Sequence, residues 1–155
     1  MITIKIIKPG KDFSEAMKVR VPVFVEEQGV PQERELDDFD KLSYHAVLYE
    51  DEFPIACGRL YINKKENTAK LGRVAVLKDH RRQGYGLMTC KKLINIAQTQ
   101  GIKSIILHAQ THSVPLYERL GFKKSGGEFL EENIPHYKMT KELSQNKNNK
   151  NKIII

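Results

Sequence analysis

The residues with the clearest capacity for chemistry lie between Leu71 and Leu87. Leu71-Gly72-Arg73-Val74-Ala75-Val76 reads as an apolar strand, and Arg81-Arg82-Gln83-Gly84-Tyr85-Gly86 follows it and opens an amphipathic stretch at Leu87. A strand, a cationic glycine-rich turn and a helix N-terminus, in that order, make a cradle for an anion. Unpaired backbone N–H groups, the positive end of the helix dipole and two guanidinium groups converge there. Gly84 and Gly86 let the main chain approach a ligand with no Cβ in the way. A Walker-type phosphate loop is excluded, because no Gly-Lys-Ser/Thr follows at the required spacing. The dinucleotide fingerprint fits poorly: Thr89 stands where its third glycine belongs, and Ile105 and Ile106 stand about where its acidic residue belongs. The plain alternative is a helix that merely follows a glycine-rich turn.

The elements that would position this cradle follow from periodicity. Ile2, Ile4 and Ile6 alternate with polar residues as a half-buried strand that stops at Pro9-Gly10. Asp12 or Ser14 can cap a helix with Phe13, Met17, Val21 and Phe24 on one side, bent or ended near Pro22. Seven acids crowd Glu26 to Asp40, around Gly29 and Pro31. This reads as a loop with a short helical turn, either a solvated linker or an acidic lip that selects a cationic amine. Tyr44 to Glu50 and Pro54 to Asn63 form an antiparallel hairpin, and a fourth strand runs from about Thr68 to Leu77. Leu87, Cys90, Leu93, Ile94 and Ala97 share one helix face, which Gly101 ends. Ser104 to His108 reads as a continuous apolar strand buried on both faces, completing a βαβ unit with the site at its carboxyl end. A short helix covers Val114 to Leu120, and two last strands, at Phe122-Lys123-Lys124 and Tyr137 to Thr140, flank an irregular Gly126-Gly127 bend. The expected class is mixed α/β, with antiparallel hairpins first and one parallel unit later.

Length and composition set the frame. The 155 residues suit a single domain over 1–143, followed by an Asn/Lys tract over 144–155 with nothing to bury and expected to be disordered. Lys147, Lys150 and Lys152 of that tract supply part of the net charge of +7, so the excess is weak support for nucleic-acid binding. Cys57 and Cys90 have no metal-ligand or redox spacing, which points to free thiols in a reducing compartment and to no metal. No run is long enough to span a bilayer and no signal-peptide pattern occurs, so the expected location is cytoplasmic.

A second block, Leu116-Tyr117-Glu118-Arg119-Leu120-Gly121-Phe122, stands in the same order and at the same gap from the glycine loop as in one known family. With Arg81-x-x-Gly84-x-Gly86 it resembles the GCN5-related N-acetyltransferases. Val23-Phe24-Val25-Glu26-Glu27-Gln28 and Glu131-Glu132-Asn133-Ile134-Pro135-His136 are similar to the ElaA/YjcF-type subgroup. The resemblance implies the acyl-CoA N-acyltransferase fold, a mostly antiparallel sheet with a central parallel βαβ unit and flanking helices. It also implies acetyl-CoA as co-substrate, its pyrophosphate held by Arg81, Arg82, Gln83, Gly84, Tyr85, Gly86 and Leu87. Backbone groups of Val74, Ala75 and Val76 on a splayed fourth strand would bind the pantetheine and carbonyl, with the Val76 N–H as donor to the oxyanion. Tyr117 matches the tyrosine that protonates the coenzyme A thiolate. Gln110 replaces an asparagine that bonds the cofactor in many relatives, with a longer arm.

The general base is left open. Lys70 to Val76 carries no acid where relatives often place one, so Glu27 or His108 is favoured, with His112 and His136 as further candidates. Arg59 and Arg73 could hold an acidic substrate group or pair with Glu27 or an aspartate of the lip. The leading reading is direct acetyl transfer to a primary amine of a small molecule or peptide. The alternatives are an acyl-CoA sensor without catalysis and a small basic nucleic-acid binder. The last is disfavoured by the acidic segment and by the lack of a basic stripe outside the tail. A homodimer is left open.

Overall fold

The computed structural model describes residues 1–144; all but Ser144 of the expected tail lies outside the described residues. Among the described residues seven strands form one sheet: β1 (Ile2–Ile7), β2 (Tyr44–Glu50), β3 (Phe53–Asn63), β4 (Thr68–Val76), β5 (Ser104–Gln110), β6 (Lys123–Glu131) and β7 (Ile134–Glu142). Their order is β1-β2-β3-β4-β5-β7-β6. Every neighbouring pair is antiparallel except β4 and β5, which the helical crossover α3 (Tyr85–Thr99) makes parallel. Four α-helices accompany the sheet among the described residues: α1 (Ser14–Arg20), α2 (Gln32–Glu35), α3 and α4 (Val114–Arg119). None is long and apolar enough to cross a membrane.

The sheet buries a different helix on each side. On one face α3 sets Cys90, Leu93, Ile94 and Ala97 against Leu60, Leu71 and Leu107. It comes so close at Gly58 that a Cβ there would lie 2.8 Å from Leu93 Cδ1. On the other face Ala16, Val19 and Val23 cover Val47, Cys57 and Ala75. The expected apolar side of α1 is therefore rotated: of Phe13, Met17, Val21 and Phe24, only Phe24 is buried. Arg20 takes a core position instead, and the chain does not stop at Pro22. It runs on into a π-helical turn, Val21–Glu27, because proline removes the N–H of a continuing α-ladder without forbidding a wider one.

Two further expectations change. β5 is not buried on both faces: Ile105, Leu107 and Ala109 face α3, while Ile106 and His108 are half-exposed on the face that α1 does not reach. The last hairpin turns at Glu132-Asn133, both left-handed (φ 51 and 60), and Gly126 lies in a β6 bulge rather than at the bend.

The acidic segment is mostly not a lip. Arg20 donates from Nη1 to Asp40 Oδ1 at 2.7 Å and from Nε to Glu35, while Arg59 Nη1 reaches Asp37 at 2.7 Å and Asp40 at 3.0 Å. Arg73 adds Nη2–Asp37 at 3.2 Å. Glu35 and Asp40 are only 2% and 1% exposed, so both are core ions. Burial alone would raise the Asp40 carboxyl, but hydrogen bonds from Arg20, the Asp37 amide and Arg59 bring it from 3.8 to about 2. Glu35 moves the other way, because burial outweighs its arginines. A carboxyl depressed by folding stabilises fully above its unfolded value and loses that contribution as pH falls through the folded one. Circular dichroism titration should show stability lost between about pH 4 and 2. Asp40→Asn should flatten that decline.

Candidate active site

β4 and β5 bond only over Thr68–Leu71 with Ser104–Leu107. Beyond that point they part. A bulge between the Cys57–Ala75 and Arg59–Gly72 pairs puts Arg73 at φ 51, a left-handed conformation that bends β4 away from its neighbour. Leu77 N donates to Ile55 O at 2.9 Å on the β3 side. By the alternation of an antiparallel ladder, the N–H and C=O of Val76 then point the other way, into the opening. A cavity of about 1120 Å³ fills this fork and extends over the open sheet face. Val74, Ala75 and Val76 form one wall, and Gln110, Tyr117 and the start of α3 line the other side.

At the floor of the fork α3 begins. Gly84, at φ 83, is its N-cap, and no side chain caps the first turn, so its leading N–H groups are open to a ligand. Gly84 and Gly86 line the cavity with Tyr85 and Leu87, whereas Gln83 lies outside the lining and accepts from the Tyr85 hydroxyl at 3.2 Å. The two loop arginines are not equivalent. Arg82 is exposed and makes no ion pair among the described residues. Arg81 donates from Nε to the Val76 carbonyl at 2.9 Å and from both terminal nitrogens to Glu27 at 2.7 and 2.6 Å. It fastens the loop to β4 and to the π-helical turn. Gly84→Ala meets no atom within 4 Å, so its effect is backbone strain of about 1–2 kcal/mol at the mouth of α3. Isothermal titration should show coenzyme A binding weakened about tenfold, with the fold retained.

Tyr117 is buried beside Phe122, ring centroids 6.0 Å apart, and its hydroxyl has no hydrogen bond among the described residues. Burial pushes its pKa well above 10, so it keeps its proton and can act only as a donor near neutral pH. Cys57 and Cys90 are both pushed up to about 12 by burial, which leaves neither as a thiolate nucleophile.

Four candidate bases have four different surroundings. Glu27 is held by Arg81, whose hydrogen bonds lower its pKa, so it is a poor proton acceptor. His108 stands just past the last β4–β5 pair, at the apex of the fork. Its Nδ1 lies 3.0 Å from Glu131 Oε1, and its ring meets Phe129 edge-on at 5.1 Å. Burial alone would raise Glu131, but the His108 hydrogen bond and the nearby charges of His108, His136 and Lys70 hold it below the usual carboxylate range. An ionised Glu131 makes Nδ1 the donor and leaves Nε2 as the basic nitrogen. His136 is buried, with Nδ1 2.6 Å from Ile134 O and Nε2 3.7 Å from Glu131. His112 is exposed on the cavity rim.

The Gln110 amide is taken by Gln28, in a reciprocal pair at 2.8 and 3.3 Å. Sequence reasoning missed that partner and the role of Glu131 beside His108. Both depend on contacts between distant segments, which no local pattern announces. No cluster of three or more His, Cys, Asp or Glu side chains suited to a metal occurs among the described residues.

Residues 15–143 match the family model described as "Acetyltransferase (GNAT) domain". The uncharacterized N-acetyltransferase YjcF of Bacillus subtilis is 41% identical over 138 residues, which is 88% of this chain and 97% of that protein. A solved acyl-CoA N-acyltransferase from Pseudomonas aeruginosa superposes with a TM-score of 0.80 at 26% identity, covering 91% of this chain and 99% of its own. Escherichia coli ElaA superposes with a TM-score of 0.81 at 23% identity, over 91% of this chain and 99% of its own, a likeness of fold.

Proposed function

The chain belongs to the GNAT acetyltransferase family, and on that premise we propose that it transfers the acetyl group of acetyl-CoA directly to a primary amine. One observation carries this reading: a single cavity gathers the open edge of β4, the uncapped start of α3, His108 and Tyr117. The residues present suit the co-substrate. The amides from Gly84 to Leu87 and the Arg82 guanidinium would hold its pyrophosphate, and the free edge of β4 would hold its pantetheine amides. Acetyl-CoA supplies an activated thioester when bound.

Each remaining task falls to a residue of this chain. The Val76 N–H donates to the carbonyl oxygen as it gains charge, a contribution of about 3 kcal/mol at comparable acyl-transfer sites. His108 Nε2 takes the proton that the amine nitrogen releases on forming the new C–N bond. Tyr117 gives its proton to sulfur as the C–S bond breaks, and regains one from water. Glu131 holds the His108 tautomer, and Arg81 with Glu27 holds the loop. The buried thiols support transfer in one step.

Release of free thiol from acetyl-CoA over a panel of primary amines tests the reading. Tight coenzyme A binding with no thiol release for any amine would favour a sensor. In the pH profile of kcat/KM, His108→Gln should remove the acidic limb, whereas Glu27→Gln should keep it. The opposite result would transfer the role of base to Glu27.

A further inference from the structure

We propose that the acceptor is a small zwitterion, an amine that also carries a carboxylate or phosphate, lying across Gly72 with its amine toward His108 and its anion toward Arg59 and Arg73. This rests on the transfer reading above and names its substrate class.

Sheet register places the two poles. Arg59 on β3 stands opposite Gly72 on β4, and His108 follows the last β5 residue paired with β4. All three are on the face away from α3, in one row across three strands where β4 and β5 begin to part, so the poles are at least two interstrand spacings, roughly 10 Å, apart at the Cα atoms. Between them Gly72 leaves a bare floor: a Cβ there would meet nothing within 4 Å and would project into the cavity.

The cationic pole has unspent donors. The Arg59 side chain is only 9% exposed, yet among the described residues only its Nη1 is engaged, with Asp37 and Asp40. Arg59 lines the cavity, and its Nε and Nη2 have no partner among the described residues, yet neither is sealed off as a buried orphan. Arg73 engages Nε and Nη2 and leaves Nη1 free among the described residues, with the side chain 26% exposed. Two neighbouring guanidinium edges with free N–H donors suit a carboxylate or phosphate.

The acids that could instead attract a second cation are committed. Glu35 and Asp37 hold arginines, and Glu132 holds Arg34 at 3.2 Å. Glu131 remains, at the opposite pole beside His108, where the incoming ammonium must shed a proton. Tyr61 and Phe39, packed edge-to-face at 4.9 Å on the cavity wall, offer an apolar rest for the body of the ligand.

Thiol release from acetyl-CoA is measured with matched sets: amino acids, their uncharged amides, aminoalkyl phosphates and unbranched diamines. The expected result is kcat/KM at least tenfold higher for an anion-bearing amine than for its neutral counterpart. Arg73→Lys, which keeps a cation beside Glu35 and Asp37 but loses the unengaged Nη1 edge, should cut that advantage about tenfold through KM and leave coenzyme A affinity unchanged. Gly72→Val should raise KM for the zwitterion with coenzyme A still bound. A preference confined to carboxylates or to phosphates identifies the anion and supports the inference either way. Equal or faster turnover of amides or diamines would overturn it while leaving acetyl transfer intact. Absence of turnover with every amine, coenzyme A being bound, would overturn the transfer reading and this inference with it.

Discussion

Replacing Tyr117 by phenylalanine should lower kcat by about a hundredfold or more and leave the dissociation constant of coenzyme A nearly unchanged. The substitution removes one oxygen and retains the ring that packs on Phe122. That oxygen has no protein partner among the described residues, so its loss unpairs nothing in the core and stability should scarcely move. Its burial-raised pKa means that the phenol is protonated throughout the working pH range, so the variant should lose rate evenly across the pH profile. That pattern distinguishes a proton donor from a base, whose removal deletes one limb. Stopped-flow measurement of acetyl-CoA consumption, beside a binding isotherm for coenzyme A, reads both quantities. Wild-type turnover in Tyr117→Phe would remove the tyrosine from the mechanism and leave solvent as the source of the thiol proton.

Much of this arrangement is legible in the chain, for definite physical reasons. The strand–glycine loop–helix order is local: an apolar run, a left-handed Gly84 and a 3.6-residue apolar period suffice to place β4, the loop and α3. The Leu116 to Phe122 block is equally local, a helix stopped at Gly121, and it brings Tyr117 to the cavity that the loop opens. Misreadings arise where a residue's partner is remote in sequence. Arg20 has no visible partner near it in sequence, and only the fold brings Glu35 and Asp40 over it. The acids of 26–40 look like a rim for the same reason, because net charge does not tell a neutralised buried ion from a free one. Arg81 and Glu27, separately assigned to phosphate binding and proton transfer, are found bound to each other. The hairpin turn at Glu132-Asn133 lacks the glycine that would have marked it, and the glycines at 126 and 127 drew the bend to a bulge instead.

The buried ions also give the largest expected effect on stability. Arg20→Met should destabilise the fold by about 3–5 kcal/mol. Methionine fills the aliphatic space of the arginine stem, but nothing replaces the donors to Asp40 Oδ1 (2.7 Å), Asp40 Oδ2 (3.2 Å) and the Glu35 carbonyl (2.8 Å). Two carboxyls would then lie in the core with Arg59 and Arg73 as their only guanidinium partners among the described residues. Against a usual domain stability of about 5–15 kcal/mol, such a loss brings the protein near its unfolding threshold at 25 °C. Arg20→Lys should recover little, since one ammonium cannot reproduce a fork that serves Glu35 and Asp40 at once. The double variant Arg20→Met with Glu35→Gln should be more stable than the single one, because the amide removes a buried charge that has lost its Arg20 donors. Urea denaturation of the three variants, followed by circular dichroism, measures the series. The same experiment repeated at pH 3 supplies the discriminating sign. With Arg20 gone, Asp40 no longer has its main reason to remain ionised, so the gap between Arg20→Met and the wild type should shrink as pH falls from about 4 toward 2. A gap that stays constant over that range, or a loss below about 1 kcal/mol at neutral pH, would show that the arginine contributes packing rather than charge.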